Sequence, residues 1–341
     1  MLADMTNFPK VTVLMPVHNG EKYLRKAMES ILNQSFRDFE FLIIDDGSSD
    51  TSAEIIRSYR DNRIKLVENE SNLGLIETLN KGIKLAQGEF VARMDCDDFS
   101  LPNRLAEQTA YMERNRLVGI CGSWILVQGE KEFINRYPLS HEEICCGLLF
   151  ETMFAHPSVM IRREAFLCNG LTYDSAYRHA EDYELWVRSA KLLKLANIPK
   201  VLLHYRLHPG QVSSQKLEEQ RRLSIEIRSR LIRALGIVPS QEDMALHESI
   251  CRQERRLTEE SVAAAESWLY RLMEANRKSS YFMEPAFSKT LAERWFKICK
   301  RTNKAWGRKA FWSSPLSRVV KPKFLGWWRL RYAMKYDWRW T

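Results

Sequence analysis

Apolar runs rich in β-branched residues alternate with amphipathic segments in the first third of the chain, and this alternation limits the possible fold more than any other feature. Buried strands are predicted at 11–15, 39–44, 64–67 and 89–94. Helices are predicted between them, at 21–33, 51–59 and 75–86. Strands that alternate with helices indicate an α/β fold, with a mostly parallel sheet covered by helices on both faces.

The alternation continues less regularly and then stops. Further strands are predicted at 117–127, 156–161 and 201–206, and a further helix at 180–193. From Lys216 onward the pattern is helical with charged faces. We therefore predict an α/β catalytic domain over residues 1–215 and a helical C-terminal region over residues 216–341.

Polar clusters follow three of the predicted strands at the points where these strands end. They occupy residues 16–19, 45–50 and 95–98. In open parallel sheets, ligands bind beyond the carboxyl ends of the strands. We expect these clusters to meet in one crevice.

Two of the clusters are acidic. Asp95, Asp97 and Asp98 repel one another unless a cation or hydrogen-bond donors neutralise them, so they suit a hard divalent ion or, alternatively, a solvated turn that caps the next helix. Asp45 and Asp46 suit hydrogen bonds from a nucleobase or ribose, or an acidic turn without a ligand.

Two later segments also carry candidate groups. Glu181 and Asp182 begin a predicted helix, where a carboxylate can act as a general base or can simply interact with the helix dipole. Arg206 and His208 flank the end of the last predicted strand, and they can bind a diphosphate and a metal ion, respectively. A single histidine in a loop is more often incidental.

In their order and spacing, these segments resemble the family 2 glycosyltransferases of the GT-A fold. The resemblance covers roughly residues 9–214, and the matching segments are 13–24, 30–36, 41–50, 72–74, 86–98, 102–105, 181–186 and 204–208. The departures are small: His18 stands where many members have Tyr, and Leu79 where many have Arg.

The resemblance implies a role for each matching position. The donor would be bound by Pro16, Val17, Asn19, Glu21, Asp45, Asp46, Asn72, Asp95, Cys96 and Arg206. Asp97, Asp98 and His208 would hold Mn²⁺ or Mg²⁺, with the choice between Asp97 and Asp98 left open. Asp182 would be the catalytic base, Glu181 the second candidate for it, and Trp186 an acceptor contact.

The activity that the resemblance implies is inverting transfer of a sugar from a nucleotide-sugar donor to a hydroxyl group. UDP-sugars are the first candidates for the donor. A glycan or lipid-linked acceptor in bacterial polysaccharide or lipopolysaccharide assembly is the expected setting. The alternatives are an inactive nucleotide-sugar-binding module and another Rossmann-like nucleotide enzyme. A dehydrogenase would need a GxGxxG loop after the first strand, and residues 16–20 do not form one.

The C-terminal segment differs from the rest in composition. From Arg294 to the end there are fourteen Lys or Arg, opposed only by Asp337, together with seven of the ten tryptophans. Trp favours the headgroup layer of a bilayer and basic residues are drawn to anionic lipids, which predicts binding to an anionic membrane surface. The alternative is a basic helical domain packed on the core. No nucleic acid partner is expected.

The remaining composition bears on location. No apolar run approaches the ~18 residues of a membrane span, and the first residues do not read as a secretory signal. Seven cysteines without a CxxC pair fit free thiols in a reducing compartment. We expect a cytoplasmic protein at the inner face of the cytoplasmic membrane.

Overall fold

The computed structural model of the protein describes residues 8–208, 216–252, 258–302 and 304–318. The chain divides into two compact units. The first comprises residues up to Ile144 together with Thr152–Gln220, and the second comprises Cys145–Glu151 together with the residues from Arg221 onward. The predicted boundary after residue 215 falls at the end of the stretch 209–215, which lies outside the described residues.

The first unit contains one nine-stranded sheet with the path β3-β2-β1-β4-β8-β6-β9-β5, and β7 pairs with β6. The strands are β1 Val11–Val17, β2 Phe39–Asp45, β3 Ile64–Glu68, β4 Phe90–Arg93, β5 Phe99–Ser100, β6 Val118–Gln128, β7 Phe133–Asn135, β8 Met160–Arg162 and β9 Lys194–Arg206. Helices that pack beside it are α1 Glu21–Leu32, α2 Ser52–Arg57, α3 Leu75–Leu85, α4 Arg104–Arg114, α6 Arg163–Cys168 and α7 Glu181–Ser189. The helix α5 (His141–Gly147) spans the unit boundary.

The half of the sheet formed by β3, β2, β1 and β4 is parallel, as the alternating pattern predicts. Every residue of β1, β2 and β4 is buried, because helices cover both faces of these strands. Their carboxyl ends lie at the same edge of the sheet, which is where the polar clusters begin.

The second half of the sheet is mixed, and here the predicted elements differ from the structure. The predicted strand at 156–161 is a 3₁₀ turn at His156–Ser158 followed by the short strand β8, because Pro157 lacks the N–H that a central strand needs. Strand β8 runs antiparallel to both β4 and β6. The predicted helix at 180–193 ends at Ser189, and β9 begins at Lys194 rather than at residue 201.

Buried side-chain amides and a guanidinium connect the helices to the strand ends. The Gln34 side chain donates to the carbonyls of Ser30 (2.9 Å) and Leu101 (2.7 Å), and its oxygen accepts from the backbone N–H of Leu105 (3.0 Å). The fully buried Arg104 donates from Nη2 to the carbonyl of Arg93 at 2.6 Å. These contacts fix the start of α4 against the end of β4.

The second unit is helical. Its helices are α8 Leu217–Ala234, which starts in the first unit, and α9 Gln241–Arg252, α10 Glu259–Ser279, α11 Ala286–Lys300, α12 Lys304–Ser313 and α13 Pro315–Arg318. His247 lies buried at its centre, where it accepts from the Trp268 indole N–H (3.1 Å) and donates to the Leu149 carbonyl (2.9 Å). Among the described residues, none of the helices is both long enough and apolar enough to cross a membrane.

The turn between α3 and β4 leaves no room for a side chain at Gly88. A Cβ there would lie 2.4 Å from the Thr12 nitrogen. We expect Gly88→Ala to lower the free energy of unfolding by about 1–3 kcal/mol, since backbone must shift to admit the methyl group. Urea denaturation measures this change.

The matched control is Gly129→Ala, because a Cβ at Gly129 meets only side-chain atoms of Leu207, at 3.2 Å. The control should change the unfolding free energy by about 0.5 kcal/mol or less. Equal stabilities of the two variants would contradict the close approach at Gly88.

Candidate active site

The loops that follow β1 and β2 are joined by hydrogen bonds across the crevice edge. The Asn19 N–H donates to Ser48 Oγ (3.0 Å), and Asn19 Oδ1 accepts from the Ser49 N–H (2.9 Å). Asn19 takes a left-handed conformation with φ of 51°, which asparagine tolerates better than most residues. Glu21 extends the joint, because its carboxylate accepts from the Thr51 hydroxyl (2.8 Å).

The predicted donor contacts Pro16 and Val17 lie inside the sheet rather than in the loop. Both side chains are buried in β1. The Val17 carbonyl accepts from the Asp46 N–H at 2.7 Å. These two residues can therefore contact a ligand only through their backbone atoms. Their position in β1 also determines where the following loop begins.

Asp46 organises the neighbouring loop at 69–74. Its carboxylate accepts from the Asn69 side chain (2.7 Å) and from the backbone N–H groups of Leu73 and Gly74 (both 2.9 Å). Burial alone would raise the pKa of Asp46, but these hydrogen bonds outweigh it, so the pKa lies below 3.8. Asp45 accepts from the Ser48 hydroxyl at 2.5 Å.

His18 connects the three loops at this edge. Its Nδ1–H donates to the Asp46 carbonyl (2.9 Å), and its Nε2 accepts from the Asn72 side chain (2.9 Å). This brings Asn72, a predicted donor contact, next to the Asn19 loop. The histidine thus fills a structural position in the crevice wall.

Three carboxylates crowd the end of β4. One oxygen from each of Asp95, Asp97 and Asp98 can be chosen so that all lie within 4.8 Å of one another. Burial raises the pKa of Asp95 to about 6, with a contribution from Asp97, although Arg93 opposes the rise. Cys96 lies between them in sequence, with its Sγ against Gly20.

Asp98 is the most deeply buried of the three, with 1% of its surface exposed. Its Oδ1 accepts from the Arg206 N–H at 2.9 Å, while its Oδ2 has no hydrogen-bond partner in the part of the chain that the structure describes. Burial, followed by the charges of Asp95 and Asp97, raises its pKa well above 3.8. A buried carboxylate oxygen without a donor, close to two other carboxylates, fits a divalent cation such as Mn²⁺ or Mg²⁺.

The end of β9 closes this side of the crevice. His208 Nε2 lies 2.9 Å from Asp97 Oδ2, so the structure brings the predicted metal ligands together. Tyr23 on α1 contacts both Arg206, the last residue of β9, and His208, two residues beyond it. Its ring centroid is 4.9 Å from that of His208 and 4.5 Å from the Arg206 guanidinium carbon.

Glu181 and Asp182 occupy the first turn of α7. Glu181 is 7% exposed, and burial together with Asp182 raises its pKa to about 7. Asp182 is less buried and accepts from the Tyr183 N–H at 2.7 Å; burial raises its pKa above 3.8. Trp186, the predicted acceptor contact, is 0% exposed, so the structure does not bring it to the crevice surface.

Sequence reasoning missed the floor between the carboxylates and α7. Arg93 donates from Nη1 to Asp95 Oδ2 at 2.5 Å, and the Tyr173 hydroxyl lies 2.7 Å from His156 Nε2. His156 in turn packs edge-on against Trp186, at 5.8 Å between ring centroids. The available signal was Arg93 itself, a charged residue inside an otherwise apolar buried strand.

This arrangement can bind a diphosphate with its cation on one side and deprotonate a hydroxyl on the other. The predicted residues Asp95, Asp97, Asp98, Arg206 and His208 meet on the first side. Asp182 lies near Arg93, whose charge lowers the pKa of both Asp95 and Asp182 against the larger effect of burial.

Comparison with known proteins gives one consistent result. The family described as "Glycosyl transferase family 2" matches residues 12–169. An uncharacterized glycosyltransferase of Haemophilus influenzae is 33% identical over 237 residues, which cover 66% of this chain and 73% of that protein. The Escherichia coli enzyme WfgD, named as a UDP-Glc:α-D-GlcNAc-diphosphoundecaprenol β-1,3-glucosyltransferase, is 28% identical over 62% of this chain and 83% of its own length.

A solved structure shows the same fold. The mannosyltransferase PcManGT of Pyrobaculum calidifontis, in complex with GDP-Man and Mn²⁺, superposes with a TM-score of 0.54 at 16% identity. The match covers 94% of this chain and 88% of PcManGT.

The hydrogen bonds to Asp46 predict a stability effect that depends on pH. Asp46→Asn replaces one accepting oxygen with a donor that faces N–H groups, and we expect it to lower the free energy of unfolding by about 1–3 kcal/mol at pH 7. Because the folded-state pKa of Asp46 is depressed, its contribution is present above 3.8 and is lost as the pH falls through the folded-state pKa. The difference in unfolding free energy between Asp46→Asn and the wild type should therefore become smaller below pH 3.8.

Urea denaturation at several pH values measures this difference in unfolding free energy. Asp174→Asn is the control, since the exposed Asp174 accepts a single backbone hydrogen bond and asparagine caps equally well. If Asp46→Asn loses no more unfolding free energy at pH 7 than Asp174→Asn does, the role given to Asp46 is wrong.

Proposed function

The chain belongs to glycosyl transferase family 2 and is a glycosyltransferase, and from this premise we propose that it transfers a sugar from a UDP-sugar, with inversion, to a hydroxyl of a glycan or lipid-linked acceptor. The observation that carries the proposal is the carboxylate cluster at the end of β4: His208 contacts Asp97 in this cluster, and Arg93, which is paired with Asp95, also acts electrostatically on Asp182.

Donor binding uses the loops after β1, β2 and β4. We propose that the Asn19, Asp45 and Asn72 region receives the nucleoside, and that Asp95 receives the ribose. Arg206 supports the diphosphate with its guanidinium, which the Tyr23 ring holds in place. Asp97, Asp98 and His208 would hold Mn²⁺ or Mg²⁺. When bound, this ion neutralises the charge that develops on the departing nucleoside diphosphate.

Asp182 is the proposed base. Its carboxylate accepts the proton of the acceptor hydroxyl as the hydroxyl oxygen bonds to the anomeric carbon and the bond to the diphosphate breaks on the opposite face. Glu181, which is more buried than Asp182 and has a pKa of about 7, shapes the electrostatics of this position. A single displacement of this kind inverts the anomeric configuration.

The choice of donor and acceptor follows the similarity to WfgD, whose name specifies a UDP-sugar and a lipid-diphosphate-linked acceptor. The GDP-Man complex of PcManGT makes GDP-mannose the second candidate. The expected setting is the assembly of a bacterial surface polysaccharide or lipopolysaccharide. An inactive sugar-nucleotide-binding module is disfavoured, because binding alone requires no buried carboxylates at residues 181 and 182.

The test of the activity is release of nucleoside diphosphate from a panel of UDP- and GDP-sugars, with Mn²⁺, with Mg²⁺ and with EDTA. We expect hydrolysis of one donor in the presence of a divalent ion and none in EDTA. Donor turnover that is unchanged by EDTA would contradict the metal site. Metal-dependent nucleotide binding without turnover, even with lipid-linked acceptors, would favour the binding module.

Replacement of the base separates chemistry from binding. Asp182→Asn should lower kcat by about 10²–10⁴-fold, because the amide cannot accept the proton, while the donor Kd stays within a factor of about two. Steady-state kinetics and calorimetric titration with UDP measure the two quantities. Glu181→Gln serves as the comparison and should retain more activity than Asp182→Asn. The reverse order would transfer the role of base to Glu181.

We also propose that the C-terminal segment binds an anionic membrane surface at the inner face of the cytoplasmic membrane. Six of its fourteen basic residues and four of its seven tryptophans lie in 319–341, outside the described residues. Within the described part, Trp312 is 52% exposed and Lys309 and Lys300 are exposed nearby in sequence on α12 and α11. This combination suits the headgroup layer of a bilayer.

Vesicle flotation tests the membrane proposal. The full chain should float with vesicles that contain phosphatidylglycerol and remain behind with pure phosphatidylcholine, and added salt should weaken binding because it screens the charges. Trp312→Ser with Lys309→Glu should reduce flotation, whereas a change at exposed Tyr270 on α10 should not. Equal flotation with both lipids, or none with either, would contradict the proposal.

A further inference from the structure

Arg93 is a cation enclosed by the sheet at the centre of the first unit. All four residues of β4 are buried, and Arg93 is 4% exposed. Removing a guanidinium from water is costly unless carboxylates and hydrogen bonds compensate for it. A buried arginine in this position therefore needs an explanation in its surroundings.

The backbone around Arg93 is held on both sides. Its N–H donates to the Val159 carbonyl at 3.0 Å, and its carbonyl accepts from Arg104 Nη2 at 2.6 Å. Because the strand end is fixed in this way, the guanidinium emerges at a defined point of the crevice floor. These two contacts use the backbone of Arg93 and leave its guanidinium for other partners.

The guanidinium contacts one carboxylate directly. Nη1 lies 2.5 Å from Asp95 Oδ2, and the Asp95 side chain is partly exposed to the crevice. The Nε–H has no hydrogen-bond partner in the described ranges, although the atom is buried. An arginine with a purely structural role would be expected to use this donor as well.

The positive charge of Arg93 also acts on the acidic residues at the start of α7. Burial raises the pKa values of Glu181 and Asp182 at the start of α7, and Arg93 opposes the rise at both. One cation therefore acts on the donor side, through its contact with Asp95, and on the side of the base. The charge of Arg93 also acts on Tyr173.

We propose that Arg93 is a positioning residue for glycosyl transfer: it orients Asp95 in the donor site and keeps a fixed positive charge beside Asp182. The inference rests on the proposed role of Asp182 as the base. Arg93 acts through these two carboxylates and takes no proton itself. At Asp182 the charge of Arg93 opposes the effect of burial, which raises the pKa of this carboxyl.

The groups that surround Asp182 determine how its titration responds. Glu181 precedes it on α7, Arg93 on β4 acts on it through its charge, and Tyr173, whose hydroxyl lies 2.7 Å from His156 Nε2, also interacts with it electrostatically. Burial and the charge of Arg93 lower the pKa of His156 well below 6.5, so this imidazole is neutral at pH 7. Arg93 is therefore the positive charge of this set.

The experiment is the pH dependence of kcat for Arg93→Gln and Arg93→Lys at saturating donor and divalent ion, where carboxylates bound to the ion no longer titrate. The acid limb of this profile reports the base in the substrate complex. Loss of the cation raises the pKa of Asp182. The acid limb of the kcat profile of Arg93→Gln should therefore move to higher pH by roughly one unit relative to the wild type. On the limb, kcat then falls about tenfold at a fixed pH. Arg93→Lys should restore most of the shift.

Controls separate this role from folding and from the activity itself. Arg162→Gln removes a partly buried arginine from the adjacent strand β8, where it pairs with Glu89 and donates to the Met112 carbonyl, and it should leave the limb in place. Thermal unfolding of all variants identifies any that are misfolded. If wild-type enzyme shows no turnover, the proposed function fails. If it turns over but the limb of Arg93→Gln coincides with that of the wild type, the inference about Arg93 is wrong.

Discussion

The confinement of three carboxylates at the end of β4 is the constraint on which the rest of the site depends. Asp95, Asp97 and Asp98 lie too close together to be ionised at the same time without compensation. Arg93 is ion-paired with Asp95, and His208 Nε2 lies 2.9 Å from Asp97 Oδ2. The Asp98 oxygen that has no hydrogen-bond partner among the described residues supports the divalent-ion site that we propose here. In the function that we propose, the donor diphosphate would be bound by charges that the fold brings together at a cost in stability.

The surrounding loops hold this cluster in a rigid frame. Asp46 fixes the loop at 69–74, Asn19 joins the first two loops, and Gln34 with Arg104 anchors the start of α4. Several residues in the most recognisable sequence segments therefore serve the geometry of the crevice rather than the ligand. The carboxylates keep their relative positions only if the strand ends do not move.

Much of the parallel half of the fold was predictable, because buried strands and amphipathic helices leave different periodicities in the sequence. The elements at 156–162 and 194–200 were not. Pro157 shortens one strand, and the polar residues near Lys200 hide the first part of β9. In both cases the sheet partner determines the conformation, and the local pattern does not contain that partner.

The sequence by itself determined which chemical groups are available to the candidate site. These are the acids after β2 and β4, the acids that begin α7, and Arg206 with His208. Their order also indicated the family. Only the tertiary structure decided how they combine. It buried Trp186 completely and engaged Asp46 in loop contacts. It also placed Tyr23 against Arg206 and His208, and brought Arg93 within electrostatic reach of acids nearly ninety residues away along the chain. The reason is physical: a residue's type fixes which interactions it can make, whereas burial and distance, which fix their strength, arise from chain packing.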